Sequence, residues 1–176
     1  MWSPLKSPHG QAITPGWALA LAGLQAGVVG GLSALLYLMF DGLLRDEGVW
    51  VSPNLLAGVF YPGKTLSLKF SSATVSGLAV HVLMSGLGWL IFYKLLAHFQ
   101  FRPRMCRLVG LLIGVTWYYL TFRFFWAQMN TAVVLYQPFP GVLFGHVIFG
   151  ICLGLYPLHV RTLQQSEPPG QGSPFS

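Results

Sequence analysis

The chain has 176 residues, of which 54% are hydrophobic and only 8% charged, whereas soluble domains carry about 25% charged residues. So few charges cannot cover a water-facing surface, which excludes an ordinary soluble domain and predicts an all-α integral membrane protein; the mean hydropathy of +0.61 agrees. The net charge of +6 and pI of about 9.6 would suggest nucleic acid in a soluble chain. In a membrane protein Lys and Arg instead mark cytoplasmic loops, so no nucleic-acid partner is expected.

Residues 1–15 are rich in Pro, Gly and Ser and read as a loose tail. They do not follow the signal-peptide pattern, and the apolar stretch after them is long enough to cross a bilayer. Residues 16–40 are therefore expected as a retained first span. The connection that follows holds Asp41, Arg45, Asp46, Glu47, Lys64 and Lys69, which sum to zero. Within it, "SPNLLAGVFYPG" predicts a short amphipathic helix lying at the membrane surface, with Ser52 as N-cap, Pro53 in the first turn and Pro62-Gly63 as the stop. "TLSLKFS" alternates apolar and polar residues and suggests an extended segment.

Residues 74–96 form the second expected span. Lys94, His98, Arg102, Arg104 and Arg107 then make the densest basic stretch of the chain, without an acid. By the positive-inside rule this loop is cytoplasmic. The third span is expected over residues 107–129 and the fourth over 141–161, with an uncharged connection between them. Residues 164–176 read as a second loose tail. Residues 16–163 thus form a single transmembrane domain, an up-down bundle of four helices in the inner membrane with both termini cytoplasmic.

Lipid supplies no hydrophobic force between helices, so they associate through small residues that let backbones approach. Gly23 and Gly27 on span one, Gly77 and Ser85 on span two, Gly110 and Gly114 on span three, and Gly145, Gly150 and Gly154 on span four supply that material. The stretches "GLQAGV" and "GLLIGV" in spans one and three, and "HVLMS" and "HVIFG" in spans two and four, raise an internal duplication of two hairpins. Cys106 and Cys152 form no CxxC pair and read as small apolar residues.

His81 and His146 lie at similar depth on two helices running the same way, each on a face of small residues. A polar group held inside a membrane invites a functional reading. Two imidazoles on neighbouring helices can hold haem b axially, and one can hold the magnesium of a chlorophyll or bacteriochlorophyll, with Trp117 and Tyr118 packing around the ring. The alternative is hydrogen bonding across a helix interface. No Asp, Glu or Cys joins the histidines at metal-ligand spacing.

Arg123 interrupts the aromatic run "LTFRFFWAQMN". Counted from the basic loop it belongs to the outer leaflet. There it is an interfacial anchor, a partner of Asp41, or an anion clamp on a propionate, a lipid phosphate or a quinone oxygen. It shares a stripe with Thr116, Tyr119 and Asn130. No GxSxG, HExxH or phosphate-cradling loop is present, so an enzyme is not expected. The sequence points to a non-enzymatic subunit packed among other membrane proteins and lipids in a larger complex, redox or photosynthetic, with a tetrapyrrole as its cofactor. A b-type cytochrome and a small oligomeric transporter are the alternatives.

Overall fold

The computed structural model describes residues 16–99 and 103–165. Among them there is no strand, and four helices are long and apolar enough to cross a membrane: Leu19–Leu44, Ser72–Leu90, Arg104–Met129 and Phe139–Val160. The elements in order are α1 (Gly16–Leu44), α2 (Val51–Leu56), α3 (Ser72–Phe99), α4 (Pro103–Tyr118), a π-helical segment (Tyr119–Trp126), α5 (Ala127–Met129), α6 (Thr131–Tyr136), α7 (Phe139–Gly154) and α8 (Tyr156–Gln165). The predicted tails, 1–15 and 166–176, lie outside the described residues.

Helix α1 packs on both α3 and α7, and α4 packs chiefly on α7. Helices α3 and α4 are sequence neighbours but barely touch. The glycines explain the tight pairs. A Cβ on Gly110 would lie 2.5 Å from the Gly154 nitrogen, and one on Gly114 would lie 2.7 Å from the Gly150 Cα. Backbone there meets backbone, which leaves no flexible side chain to yield. In the α1–α3 pair, Gly23 makes the notch that receives the Trp89 indole, and a Cβ on Gly27 would sit 3.1 Å from the Ser85 carbonyl oxygen. Gly145 faces Leu38 of α1 at a looser 3.5 Å.

The two hairpins meet in the same register. Matching "GLQAGV" to "GLLIGV" pairs Gly27 with Gly114, and matching "HVLMS" to "HVIFG" pairs Ser85 with Gly150. Gly27 touches Ser85, and Gly114 touches Gly150.

The connection between α1 and α3 departs from the expected surface helix. Every residue of α2 is buried, and Asn54 is completely so. Ser52 does not cap the helix; its hydroxyl donates to the Leu38 carbonyl at 3.2 Å, and the helix begins one residue earlier. The Asn54 amide donates to the carbonyls of Ser67 at 2.7 Å and Lys69 at 3.2 Å, and its oxygen accepts from Thr74 at 2.7 Å. A Cβ on Gly77 would run into the Pro53 carbonyl. These bonds draw α2 between the helix ends as a plug, because an amide with that many partners is worth more buried and paired than facing an interface. Residues 65–71 take no regular structure and pair with no strand.

Helix α7 ends before Leu155, two residues ahead of Pro157, and the chain resumes as α8. The third span carries an eight-residue π-helix that periodicity does not reveal.

Backbone contact predicts a sharp contrast between glycines. Gly150→Val should destabilise the purified protein by about 2 kcal/mol or more through overpacking. Gly63→Ala should be silent, because nothing lies within 4 Å of the new Cβ. Thermal denaturation in detergent reads both.

Candidate functional site: a histidine-lined chamber

Two apolar clusters fill the bundle. One is built on Ala22, Ala26, Trp89, Phe149 and Leu153, the other on Leu35, Leu55, Tyr118, Phe122 and Val142. A cavity of about 50 Å³ lies at their junction, bordered by residues of α1, α2, α3, α4, the π-helical segment, α6 and α7. Its polar lining is His81, Ser85, Thr121, Gln137 and His146, with Met84, Trp117, Phe122, Trp126 and Phe149 around them. The fold thus brings both sequence-predicted histidines to one chamber.

Each imidazole is oriented by a backbone carbonyl. His81 Nε2 lies 3.0 Å from the Gly31 oxygen and can only donate to it, so Nδ1 keeps the lone pair. The contact depends on the absent side chain of Gly31, where a Cβ would press on Ser85 at 2.5 Å. His146 Nδ1 lies 2.9 Å from the Val142 carbonyl oxygen and donates to it. Its Nε2 therefore accepts, and the group facing it at 3.2 Å is the Thr121 hydroxyl.

Thr121 also explains the π-helix. Its hydroxyl lies 2.7 Å from the Trp117 carbonyl oxygen, the acceptor that an α-helix reserves for the Thr121 amide. A side chain inserted into the i→i−4 ladder loosens that turn, and the segment winds i→i+5 instead. The single hydroxyl proton serves two acceptors, the Trp117 carbonyl and His146. Tyr118 stands edge-on to His146 with centroids 5.5 Å apart and stacks on Phe122 at 5.4 Å. Trp117 borders the chamber and covers Gly88.

Gln137 carries the chamber's open valence. It is only 5% exposed, and its amide nitrogen has no hydrogen-bond partner. A water needs about 10–15 Å³ of such space and two or more polar partners. The chamber therefore has room for a few waters beside the Gln137 amide nitrogen.

The residues present do not fit a tetrapyrrole in this arrangement. Ligand pockets of drug size run to roughly 300 Å³ or more, and this chamber is about 50 Å³. His81 Nε2 is committed to Gly31, and both nitrogens of His146 are engaged. Among the described residues no three of His, Cys, Asp and Glu cluster as metal ligands, and Cys106 and Cys152 are not joined in a disulfide.

Arg123 does not reach the chamber. It is exposed on the outside of the π-helical segment. Its expected brace to Asp41 is not formed, because Asp41 is held by Arg45 at 3.0 Å. Asn130 also leaves the Arg123 stripe. It turns inward and donates to the Leu55 carbonyl at 2.7 Å, tying the third span to the plug. Sequence reasoning missed Thr121, Gln137 and Asn54 as site residues. The available signal was a polar residue isolated in an apolar run, as in "PNLLAG" and "LTFRF".

Thr121→Val keeps the shape but strips His146 Nε2 of its donor, so it should destabilise the folded protein by about 1–3 kcal/mol. Asn54→Ala strands two carbonyls and Thr74 and should cost about 3 kcal/mol. Differential scanning fluorimetry of the variants in one detergent checks the order, with Asn54→Ala the larger loss.

No protein-family model matches the chain, and neither a curated protein nor a solved structure shows significant similarity to it. The functional reading therefore rests on the geometry above.

Proposed function

We propose that this chain is a multi-pass protein of the inner membrane, an up-down bundle with both termini and the 94–107 loop cytoplasmic, and that it serves as a non-enzymatic subunit of a larger membrane assembly. The observation that carries the subunit reading is the apolar surface of the outer connection. Phe60, Leu68 and Phe70 are 62%, 62% and 58% exposed, although α2 beside them is wholly buried. Large exposed apolar patches beyond a membrane core mark docking surfaces.

The chamber supports a structural rather than catalytic role. Thr121 and His146 form the one hydroxyl–imidazole contact within it, at 3.2 Å. That hydroxyl is shared with a backbone carbonyl, and the space beside it holds water-sized molecules only. The polar groups there join α1 to α3 and the π-helical segment to α7, which suits a rigid body that presents its outer end to a partner.

Gentle extraction and native electrophoresis test the reading. The protein should migrate far above its 19.3 kDa mass, and Phe60→Ser combined with Leu68→Ser should release it to the position of the isolated chain. Migration of the unmodified protein as a monomer would sink the proposal. For topology, cysteine placed at Arg104 should resist membrane-impermeant maleimide in intact cells and react after permeabilisation.

A further inference from the structure

Arg123 is the only charged residue between Arg107 and Arg161. Its neighbours Tyr119, Leu120 and Phe124 are 53%, 47% and 75% exposed, while Thr121, Phe122 and Trp126 point to the core. The guanidinium therefore leaves the bundle on the face that acyl chains would cover. An isolated charge in hydrocarbon costs several kcal/mol, so this one requires a counter-charge.

Among the described residues no acid supplies it. Its four acids are Asp41, Asp46, Glu47 and Glu167. Arg45 holds Asp41 and Glu47, and Asp46 sits in the same tight turn, in the left-handed region at φ 58°. Glu167 lies outside the described residues. Among the described residues Arg123 makes no ion pair.

Its depth selects the ligand. The third span ends at Asn130, about 10 Å from Arg123 along the helix at 1.5 Å per residue, and the arginine stem carries its head further toward the membrane edge. The anions at that level are lipid phosphates. A planar guanidinium matches two phosphate oxygens at once. Tyr119, one turn back, and Gln128, five residues on, are both exposed and can add a hydroxyl and an amide.

We propose that Arg123, with Tyr119 and Gln128 beside it, forms a binding site for the phosphate of a phospholipid on the outer face of the π-helical segment. The π-turn serves this site directly: Thr121 faces His146 inside while Arg123, two residues on, faces lipid. The site rests on the membrane insertion proposed above but not on the docking role, and insertion is read separately from resistance to alkaline extraction.

Native mass spectrometry of the delipidated full-length protein, titrated with phosphatidylglycerol in detergent, tests the site. The unmodified protein should retain lipid at a concentration at least about tenfold lower than Arg123→Gln, with Arg123→Lys between the two because it keeps the charge and loses the fork. Diacylglycerol with the same chains should bind no better than phosphatidylglycerol binds Arg123→Gln. Gln128→Arg placed on Arg123→Gln should restore retention by returning a guanidinium to the same face. Equal retention by the unmodified protein and Arg123→Gln, at equal melting temperature, would overturn the proposal. Equal retention of diacylglycerol would overturn it too.

Discussion

Backbone contact between α4 and α7 positions the rest of the structure. Gly110 and Gly114 lie against Gly150 and Gly154 so closely that a methyl group on any of them would strike main chain. Dispersion between well-fitted surfaces holds helices together where lipid provides no hydrophobic force. The contact also fixes height. With the two backbones locked, His146 is presented to Thr121 and to no other turn of the third span. The α1–α3 pair repeats the device with Gly27 and Ser85, and there it delivers His81 to the Gly31 carbonyl.

Polar groups then fasten what the glycines bring together. In an apolar interior an unpaired amide or hydroxyl is costly, and a paired one gives a contact its direction. Asn54 joins α2 to the chain before α3 and to Thr74, and Asn130 joins the third span to the carbonyl of Leu55. The plug is consequently tied to both hairpins at their shared end. Directly beneath it the chamber collects the polar groups that the helix pairs do not consume, with the Gln137 amide nitrogen left without a protein partner. The π-helical segment belongs to the same economy of hydrogen bonds: Thr121 takes a carbonyl from the ladder, and the ladder shifts by one residue to keep its amides paired.

Much of this was legible in the residues. The stretches 16–40 and 74–96 fall within α1 and α3, the stretch 107–129 runs through α4, the π-helical segment and α5, and the stretch 141–161 is divided between α7 and α8 at Leu155. Gly27 lies against Ser85, and Gly110 and Gly114 against Gly150 and Gly154. The matched depth of His81 and His146 predicted that they could share an interior. The plug was not legible, because "SPNLLAGVFYPG" has the composition of an interfacial helix, and only the partners of Asn54 decide whether it lies on the bundle or within it. Nor was the π-helix, since a threonine that back-bonds looks the same in sequence as one that does not. Asp41 seemed free to meet Arg123, but Arg45, four residues on in the same turn, reaches it first.

By itself, the sequence determined the helical class and the number of helices long and apolar enough to cross a membrane. Those follow from composition and from a period that repeats within each helix. The tertiary structure decided which polar groups meet: that both imidazoles are held by backbone carbonyls, that the space between them suits water-sized molecules, and that Arg123 faces outward. These depend on contacts between residues far apart in the chain, such as His81 with Gly31 and Asn130 with Leu55. Local pattern carries no information about a hydrogen bond whose two ends belong to different helices.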